Sequence, residues 1–403
     1  MRVQIKNLGV IREADFEVGD LTIICGGNNT GKTYVNYALY GFLDFWWNVV
    51  TPGRMEMKEE INAAFERRFR KKNAIVAEVT EAYINVLPVV FASSDKFAAS
   101  SFSVDVSADN DTGMEDTKEE LPPPGAKQSE HAIKGSFFDF LPNPFVITAE
   151  RSGILNLWGE LDMPDDPWNP ANRHQGESTV PLPIQRNIDF VRMSKNGRFR
   201  TEGPLANGFL GDLENLFGGT YNVHGSTIYF LPKESNAVQL RMPESSSSVR
   251  ALFLLNYYLR YIAQKGDILM IDEPELNLHP EQQRLIARLL ARLVNAGIKV
   301  FLTTHSDYLI RELNILIMLN RKEERLERIR NEEGYKENEL LDAGQVRVYT
   351  AEKTKEGDGY MLYPADIHQA RGIEVCTFDT TIDRTNVILE DIVYGHHNDR
   401  LRK

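Results

Sequence analysis

The sequence predicts an α/β fold with a mainly parallel core sheet, on three observations. Short apolar runs end on polar residues at Leu21–Cys25, Ile268–Ile271 and Val300–Thr304, as strands do when buried on both faces with their ends at one rim. A glycine-rich loop follows the first run and opens a helix. Between the second and third runs lies an amphipathic helix with Leu285, Ile286, Leu289, Leu290, Leu293 and Val294 on one face, and strand, helix, strand is the repeat of a parallel sheet.

In chain order, Arg2 to Val18 alternates as a strand pair (Val3 and Ile5, then Ile11, Ala14 and Phe16) with Asn7-Leu-Gly as its turn, an antiparallel β entry to the core. The buried run Leu21–Cys25 then feeds Gly26-Gly-Asn-Asn-Thr-Gly-Lys-Thr33 and helix-like Tyr34 to Phe45. Gly26, Gly31, Lys32 and Thr33 meet the pattern G-x-x-x-x-G-K-[ST]. Its glycines let successive N–H groups face phosphate oxygens, its lysine reaches the outer phosphates, and its hydroxyl ligates Mg²⁺.

From Met55 to about Val90 the pattern is helical and carries Arg67, Arg68, Arg70, Lys71 and Lys72. Such a run is ordinarily a solvated helix face, with nucleic-acid contact as the alternative. Residues 105 to 130 are acidic and Pro-rich and read as a flexible or hairpin-tip excursion. Phe145 to Ser152 is an apolar run ending on Glu150 and Arg151, and Asp162 to Pro183 reads as a long surface loop or lid. Ile228 to Leu231 is strand-like, and Glu244-Ser-Ser-Ser-Ser248 opens a helix from Val249 to about Ala263. Serines there are N-caps, and the same helix start offers hydroxyls and free N–H groups to an anion.

Ile268–Ile271 ends in Asp272 and Glu273, some 240 residues after Lys32. A carboxylate at a strand end beside the phosphate loop holds Mg²⁺ through a water, which is the role expected of Asp272. Glu273 points to the other side of the chain and is the candidate base for an attacking water. Val300–Thr304 ends in His305-Ser-Asp307. Residues 321 to 341 read as a charged, solvent-facing helix, and the tail as short strands near Val346, Tyr360 and Glu374 followed by a helix from Asn386. No Glu…Asp-x-Asp nuclease constellation stands in the tail, and His396-His-Asn398 is too isolated for a metal site.

Composition bounds the class. With 403 residues, 42% hydrophobic and 26% charged, the chain can bury one large core or two domains. A net charge of −12 argues against non-specific coating of nucleic acid. Two cysteines, Cys25 and Cys376, give neither a disulfide framework nor zinc spacing and read as packed small hydrophobes. No uninterrupted apolar run of about 18 residues and no signal-peptide core are present, so the expectation is a cytoplasmic protein with no membrane contact.

The order Gly26 to Thr33, a serine-rich helix start, Ile271-Asp-Glu-Pro-Glu-Leu-Asn-Leu-His-Pro280, then Thr303-Thr-His-Ser306 resembles the ABC-type ATPase fold of the RecF, SMC and OLD-like AAA-family P-loop NTPases. The resemblance covers residues 1 to about 50 and 225 to 320. It implies an ABC-type head split between residues 1–50 and 140–320, with an irregular insertion at about 158–205, a helical and flexible insertion at 51–139, and a charged helix with a small α+β extension at 321–403. It also implies ATP and Mg²⁺ as cofactors. ATP would be held by Gly26, Asn28, Asn29, Thr30, Gly31, Lys32 and Thr33, and across a head-to-tail homodimer or higher oligomer by Ser246, Ser247 and Ser248. Thr33 and Asp272 would hold the metal; Glu273, His305 and Lys32 would be catalytic. Leu276, Asn277 and His279 would form the dimer loop, and Glu150 or Arg151 a nucleotide sensor, unless these two make an ordinary surface ion pair.

One departure is plain: the family signature has a glycine one or two positions after its serine, and this chain has Ser246, Ser247 and Ser248 with none. A side chain at Ser248 hinders close backbone approach. The function expected is ATP hydrolysis whose assembly cycle controls a separate effector, a nuclease or toxin, as in anti-phage defence. The alternatives are a RecF/SMC-like DNA clamp with the Arg67 to Lys72 cluster as its track, and a scaffold that binds ATP, turns it over little and sequesters an effector.

Overall fold

The structure is a computed structural model that describes residues 1–50, 72–92, 99–106, 141–157, 180–195, 201–224, 227–234, 238–374 and 387–389. Its strands are β1 (Arg2–Leu8), β2 (Ile11–Glu17), β3 (Leu21–Cys25), β4 (Ser101–Asp105), β5 (Pro144–Ile147), β6 (Gly219–His224), β7 (Thr227–Pro232), β8 (Leu240–Arg241), β9 (Ile268–Asp272), β10 (Lys299–Thr304), β11 (Val346–Lys353), β12 (Tyr360–Pro364), β13 (Asp366–His368) and β14 (Gly372–Glu374). The α-helices are α1 (Lys32–Phe45), α2 (Lys72–Ile84), α3 (Leu87–Val90), α4 (Arg151–Leu157), α5 (Leu182–Lys195), α6 (Ala206–Phe217), α7 (Ser247–Tyr257), α8 (Pro280–Asn295), α9 (Asp307–Met318) and α10 (Glu324–Glu333).

Among the described residues one sheet of nine strands, in the order β4-β1-β2-β12-β11-β3-β10-β9-β5, organises the fold. β11, β3, β10, β9 and β5 run parallel to one another, while β4, β1 and β2 are antiparallel neighbours, so the predicted α/β class with an antiparallel N-terminal part is what forms. Every residue of β3 is buried, and its side chains alternate between two cores. Leu21, Ile23 and Cys25 face the core made with α5 to α9, and Ile24 faces the one made with α1, β1 and β2. β9 and β10 repeat the alternation, with Met270 and Phe301 on the α1 side and Ile271 and Leu302 on the other. Two covered faces explain why these strands read as unbroken apolar runs; each large side chain so buried contributes about 1.5–3 kcal/mol.

The structure differs from the sequence expectation in three places. Residues 346–364, expected in an extension outside the core, supply β11 and β12, and β11 lies directly against the loop-bearing strand β3. Part of the expected irregular insertion is the helix α5, whose Ile188, Phe190 and Val191 are buried in the core. The charged helix is α10 alone, ten residues rather than the whole of 321–341, and it buries Leu326. The Arg67 to Lys71 cluster, the 107–140 excursion, Trp158, Trp168, Cys376 and the His396 pair lie outside the described residues.

Candidate active site

Register brings the parts of the site to one rim. Cys25 of β3 pairs with Thr304 of β10, Thr303 with Asp272 of β9, and Ile271 with Ile147 of β5. The ends of four parallel strands therefore stand side by side, and the loop after β3 meets the carboxylates after β9.

The loop itself is dictated by close approach. Gly26 has φ +144° and a Cβ there would lie 3.0 Å from the Ala351 carbonyl oxygen of β11; at Gly31, φ +91°, it would meet Ile11 at 2.6 Å. Only glycine fits both conditions. Asn29 also takes a left-handed turn, at φ 61°. Lys32 is buried, and its Nζ donates to the carbonyls of Gly26 at 3.0 Å and Gly27 at 2.7 Å. Burial lowers its pKa, opposed by the nearby charges of Glu273, Asp272 and Glu275. Thr30 turns inward and donates to the Gly27 carbonyl, while Asn28 and Asn29 are exposed.

Thr33, the second residue of α1, donates from Oγ1 to Asp272 Oδ2 at 2.9 Å, across 239 positions of sequence. Thr303 donates to the other oxygen, Oδ1. Burial pushes the Asp272 carboxyl up to about 6, with those two hydrogen bonds acting the other way and Glu273 and Glu150 adding to the rise. Glu273 follows at φ 51°, rare for a residue with a side chain. Its N–H donates to the Thr303 carbonyl at 3.1 Å, and its Oε1 stands 3.2 Å from His305 Nδ1. The expected trio of Lys32, Asp272 and Glu273 with His305 is thus brought together.

The loop after Glu273 turns back on itself through Leu276 N–H to the Glu273 carbonyl and Asn277 at φ 64°. Asn277 Nδ2 donates to Ser152 Oγ at 3.2 Å, Leu276 is half-buried, and exposed His279 caps α8. The serines sit at the start of α7: Ser246 is its N-cap, accepting from Val249 N–H at 3.3 Å and sharing a 2.8 Å contact with Ser248. Ser246 and Ser247 are exposed, and the hydrogen bonds of Ser246 and Ser248 stay within their own helix start rather than joining the phosphate loop.

The sensor expectation needs correction for Arg151. It is neither a surface ion pair nor open to a nucleotide: it is 2% exposed and its guanidinium donates to four backbone carbonyls, of Thr148, Ala251, Asp272 and Glu273. Glu150 is exposed and accepts from the Tyr37 hydroxyl of α1 at 3.2 Å. Two further residues join the site beyond those the sequence singles out. Glu275 is buried; its Oε1 accepts from Thr304 Oγ1 at 2.7 Å and His305 N–H at 2.9 Å. Thr303 is the second partner of Asp272. The signal for Glu275 was present, a second carboxylate in Asp-Glu-Pro-Glu, whereas Thr303 and Arg151 depend on strand register.

Residues 200–310 match a family model described as an AAA ATPase domain. The match takes in β9 and Asp272-Glu273, while the phosphate-loop pattern at residues 26–33 lies outside it. Solved structures similar to this chain include the SMC head domain from Thermotoga maritima, 10% identical over 91% of this chain and 98% of that one at a TM-score of 0.35. An SmcHead bound to the C-winged helix domain of ScpA matches at 10% identity, 92% and 98% coverage and 0.40. An Smc head with an extended coiled coil, bound to the C-terminal domain of ScpA derived from Pyrococcus furiosus, matches at 9%, 97% and 98%, and 0.37. No curated protein matches the chain by sequence.

A divalent cation fits the donor set: a hydroxyl and a carboxylate oxygen 2.9 Å apart are hard ligands, and Mg²⁺ needs only one or two protein ligands beside phosphate and water. Among the described residues no cluster of three or more His, Cys, Asp or Glu forms a metal cage, and no helix is long and apolar enough to cross a membrane.

Proposed function

We propose that this chain is an ABC-type P-loop ATPase that hydrolyses ATP, with Thr33 and Asp272 holding Mg²⁺, Lys32 binding the outer phosphates and Glu273 acting as general base. The observation that carries the reading is the meeting of Thr33 and Asp272 beside Glu273 and His305. A triphosphate draws Lys32 Nζ away from the Gly26 and Gly27 carbonyls to its β- and γ-oxygens, and the N–H groups of residues 26 to 33 complete the cradle. Mg²⁺, when bound, offsets the phosphate charge. Glu273 takes a proton from water as its oxygen attacks the γ-phosphorus and the bond to the bridging oxygen breaks, and His305 orients the Glu273 carboxylate. Glu273→Gln should lower turnover by about 10²–10⁴-fold with ATP binding retained; unchanged turnover would remove Glu273 from the mechanism.

The site is completed, in this reading, by a second copy. Ser246, Ser247, Asn277 and His279 are all exposed, so they are free to face a partner's nucleotide and dimer loop. ATP should therefore convert Glu273→Gln protein from monomer to dimer in light scattering, and Ser246→Arg should abolish the conversion. That this assembly controls a separate nuclease or toxin in anti-phage defence rests on the sequence resemblance to OLD-like ATPases. Co-purification from the native host in ATP-bound and ADP-bound states tests it, and a chain that comes out alone in both states sinks it.

A further inference from the structure

Arg151 belongs to none of the motifs, yet it touches the backbone of the proposed catalytic pair. It stands at the start of α4, four residues beyond the end of β5, and β5 is the parallel neighbour of β9. Asn187 of α5 fixes the strand end, accepting from Thr148 N–H at 2.9 Å and donating to the Val146 carbonyl at 2.7 Å. From there the guanidinium reaches inward. Nη1 donates to the carbonyls of Thr148 at 3.0 Å and Asp272 at 2.8 Å, Nη2 to that of Glu273 at 2.6 Å, and Nε to that of Ala251 in α7 at 3.0 Å. No carboxylate takes any of these four bonds.

The geometry at Glu273 explains why such a group is needed. A side-chain-bearing residue at φ 51° is strained, and the following Pro274 restricts it further. That conformation persists only when both sides of the residue are held. Its N–H is held by the Thr303 carbonyl, and its own carbonyl by Arg151 from the core and by the Leu276 N–H of the same short loop at 3.0 Å. Without Arg151 the carbonyl would keep only the Leu276 bond, which ties the loop to itself and not to the core, so the loop and the Glu273 carboxylate with it could shift away from His305. A planar fork with fixed donor directions can span β5, β9 and α7 at once; an ammonium on a flexible stem cannot.

We propose that Arg151 is a positioning residue for ATP hydrolysis: it fixes the left-handed backbone of Glu273, and with it the Glu273 carboxylate at His305, and it ties that backbone to the serine-bearing helix α7. The proposal rests on the ATPase reading above. Its test is Arg151→Lys in the full chain, alone and with Glu273→Gln, with steady-state ATP turnover, KM for ATP, circular dichroism and the ATP-induced thermal shift as readouts. Expected are a fall in kcat of about 10- to 100-fold, as misplacement of a catalytic group gives, a KM within about threefold of the parent, and a double variant no slower than Glu273→Gln alone. The non-additivity is what a purely structural role would not produce.

A kcat within about twofold of the parent, or a double variant slowed by the full single-variant factor, overturns the proposal. Arg151→Gln is the second variant should Arg151→Lys fail to fold; if neither folds, Arg151 is a strut of the core and the proposal is wrong. Normal turnover in Glu273→Gln would instead defeat the ATPase mechanism itself, so the two failures are told apart by the single variants.

Discussion

Two groups of buried charge in this molecule are balanced in opposite ways. Between α8 and α9, Glu312 is 1% exposed and each of its oxygens receives an arginine at 2.7 Å, Arg284 on one and Arg288 on the other. Arg288 also lies 3.8 Å over the Tyr335 ring, and Arg284 donates to the Tyr335 hydroxyl. At the rim of the sheet the same kinds of residue meet without pairing. Lys32 and Arg151 direct their donors to backbone carbonyls, Asp272 has hydroxyls for partners, and Glu275 Oε2 is buried with no hydrogen-bond partner among the described residues. One group is finished and structural. The other keeps its carboxylates short of cations, which is the state expected of a site that waits for a charged ligand.

The largest expected effects would break that contrast by sign. Glu312→Ala leaves two arginines partly buried without their carboxylate and should destabilise the chain by about 3–4 kcal/mol in urea unfolding. Asp272→Asn should do the reverse. A carboxyl whose folded pKa is raised from 3.8 to about 6 contributes stability below pH 4 and loses it as pH rises through 6. Ionised Asp272 therefore costs about 2–3 kcal/mol above that range, and the amide removes the cost while keeping an acceptor for one hydroxyl. In EDTA without nucleotide, Asp272→Asn should be the more stable protein at pH 8 and no more stable at pH 4. Equal stabilities at both pH values would show that the site carries no excess of buried negative charge.

Thr303→Val sharpens the same point with a smaller change. The hydroxyl it deletes donates to Asp272, and a hydrogen bond to a charged group contributes about 1.5–2 kcal/mol. The loss should appear at pH 8, where Asp272 is ionised, and shrink at pH 4. Unfolding midpoints that fall equally at the two pH values would assign the cost to packing of the valine instead.

How much of this could be read from the chain depends on range. The loop from Gly26 to Thr33, the strand ends at Asp272 and His305 and the helix α8 follow local rules of period, glycine geometry and apolar stripe, and all were expected. The places of β11, β12 and Arg151 needed pairing between distant segments. β11 and β12 look like any short amphipathic strands of a tail, and nothing local says that β11 inserts beside β3. α5 begins just after a Pro-rich stretch and reads as part of an irregular insertion, although its Ile184, Ile188 and Val191 recur at helical spacing. Arg151 reads as a surface charge because a charged residue after an apolar run is ordinarily solvated. Only the register of β5 against β9 turns it inward to the carbonyls of Asp272 and Glu273.

The smallest effect compares one substitution in both groups. Arg288→Lys keeps a cation beside Glu312, whose other oxygen still has Arg284, and loses the stacking of a planar group on Tyr335. Such a contact contributes about 1 kcal/mol, so the variant should unfold at slightly lower urea with turnover unaltered. Arg151→Lys keeps its charge as well, but its partners are carbonyls set in three directions, and charge alone does not hold them. If Arg288→Lys proved as costly to turnover as Arg151→Lys, the finished and the waiting group would be coupled through α8 and the contrast drawn between them would fail. If both altered only stability, the carbonyl cage around Arg151 would be no different in kind from the ion pairs around Glu312.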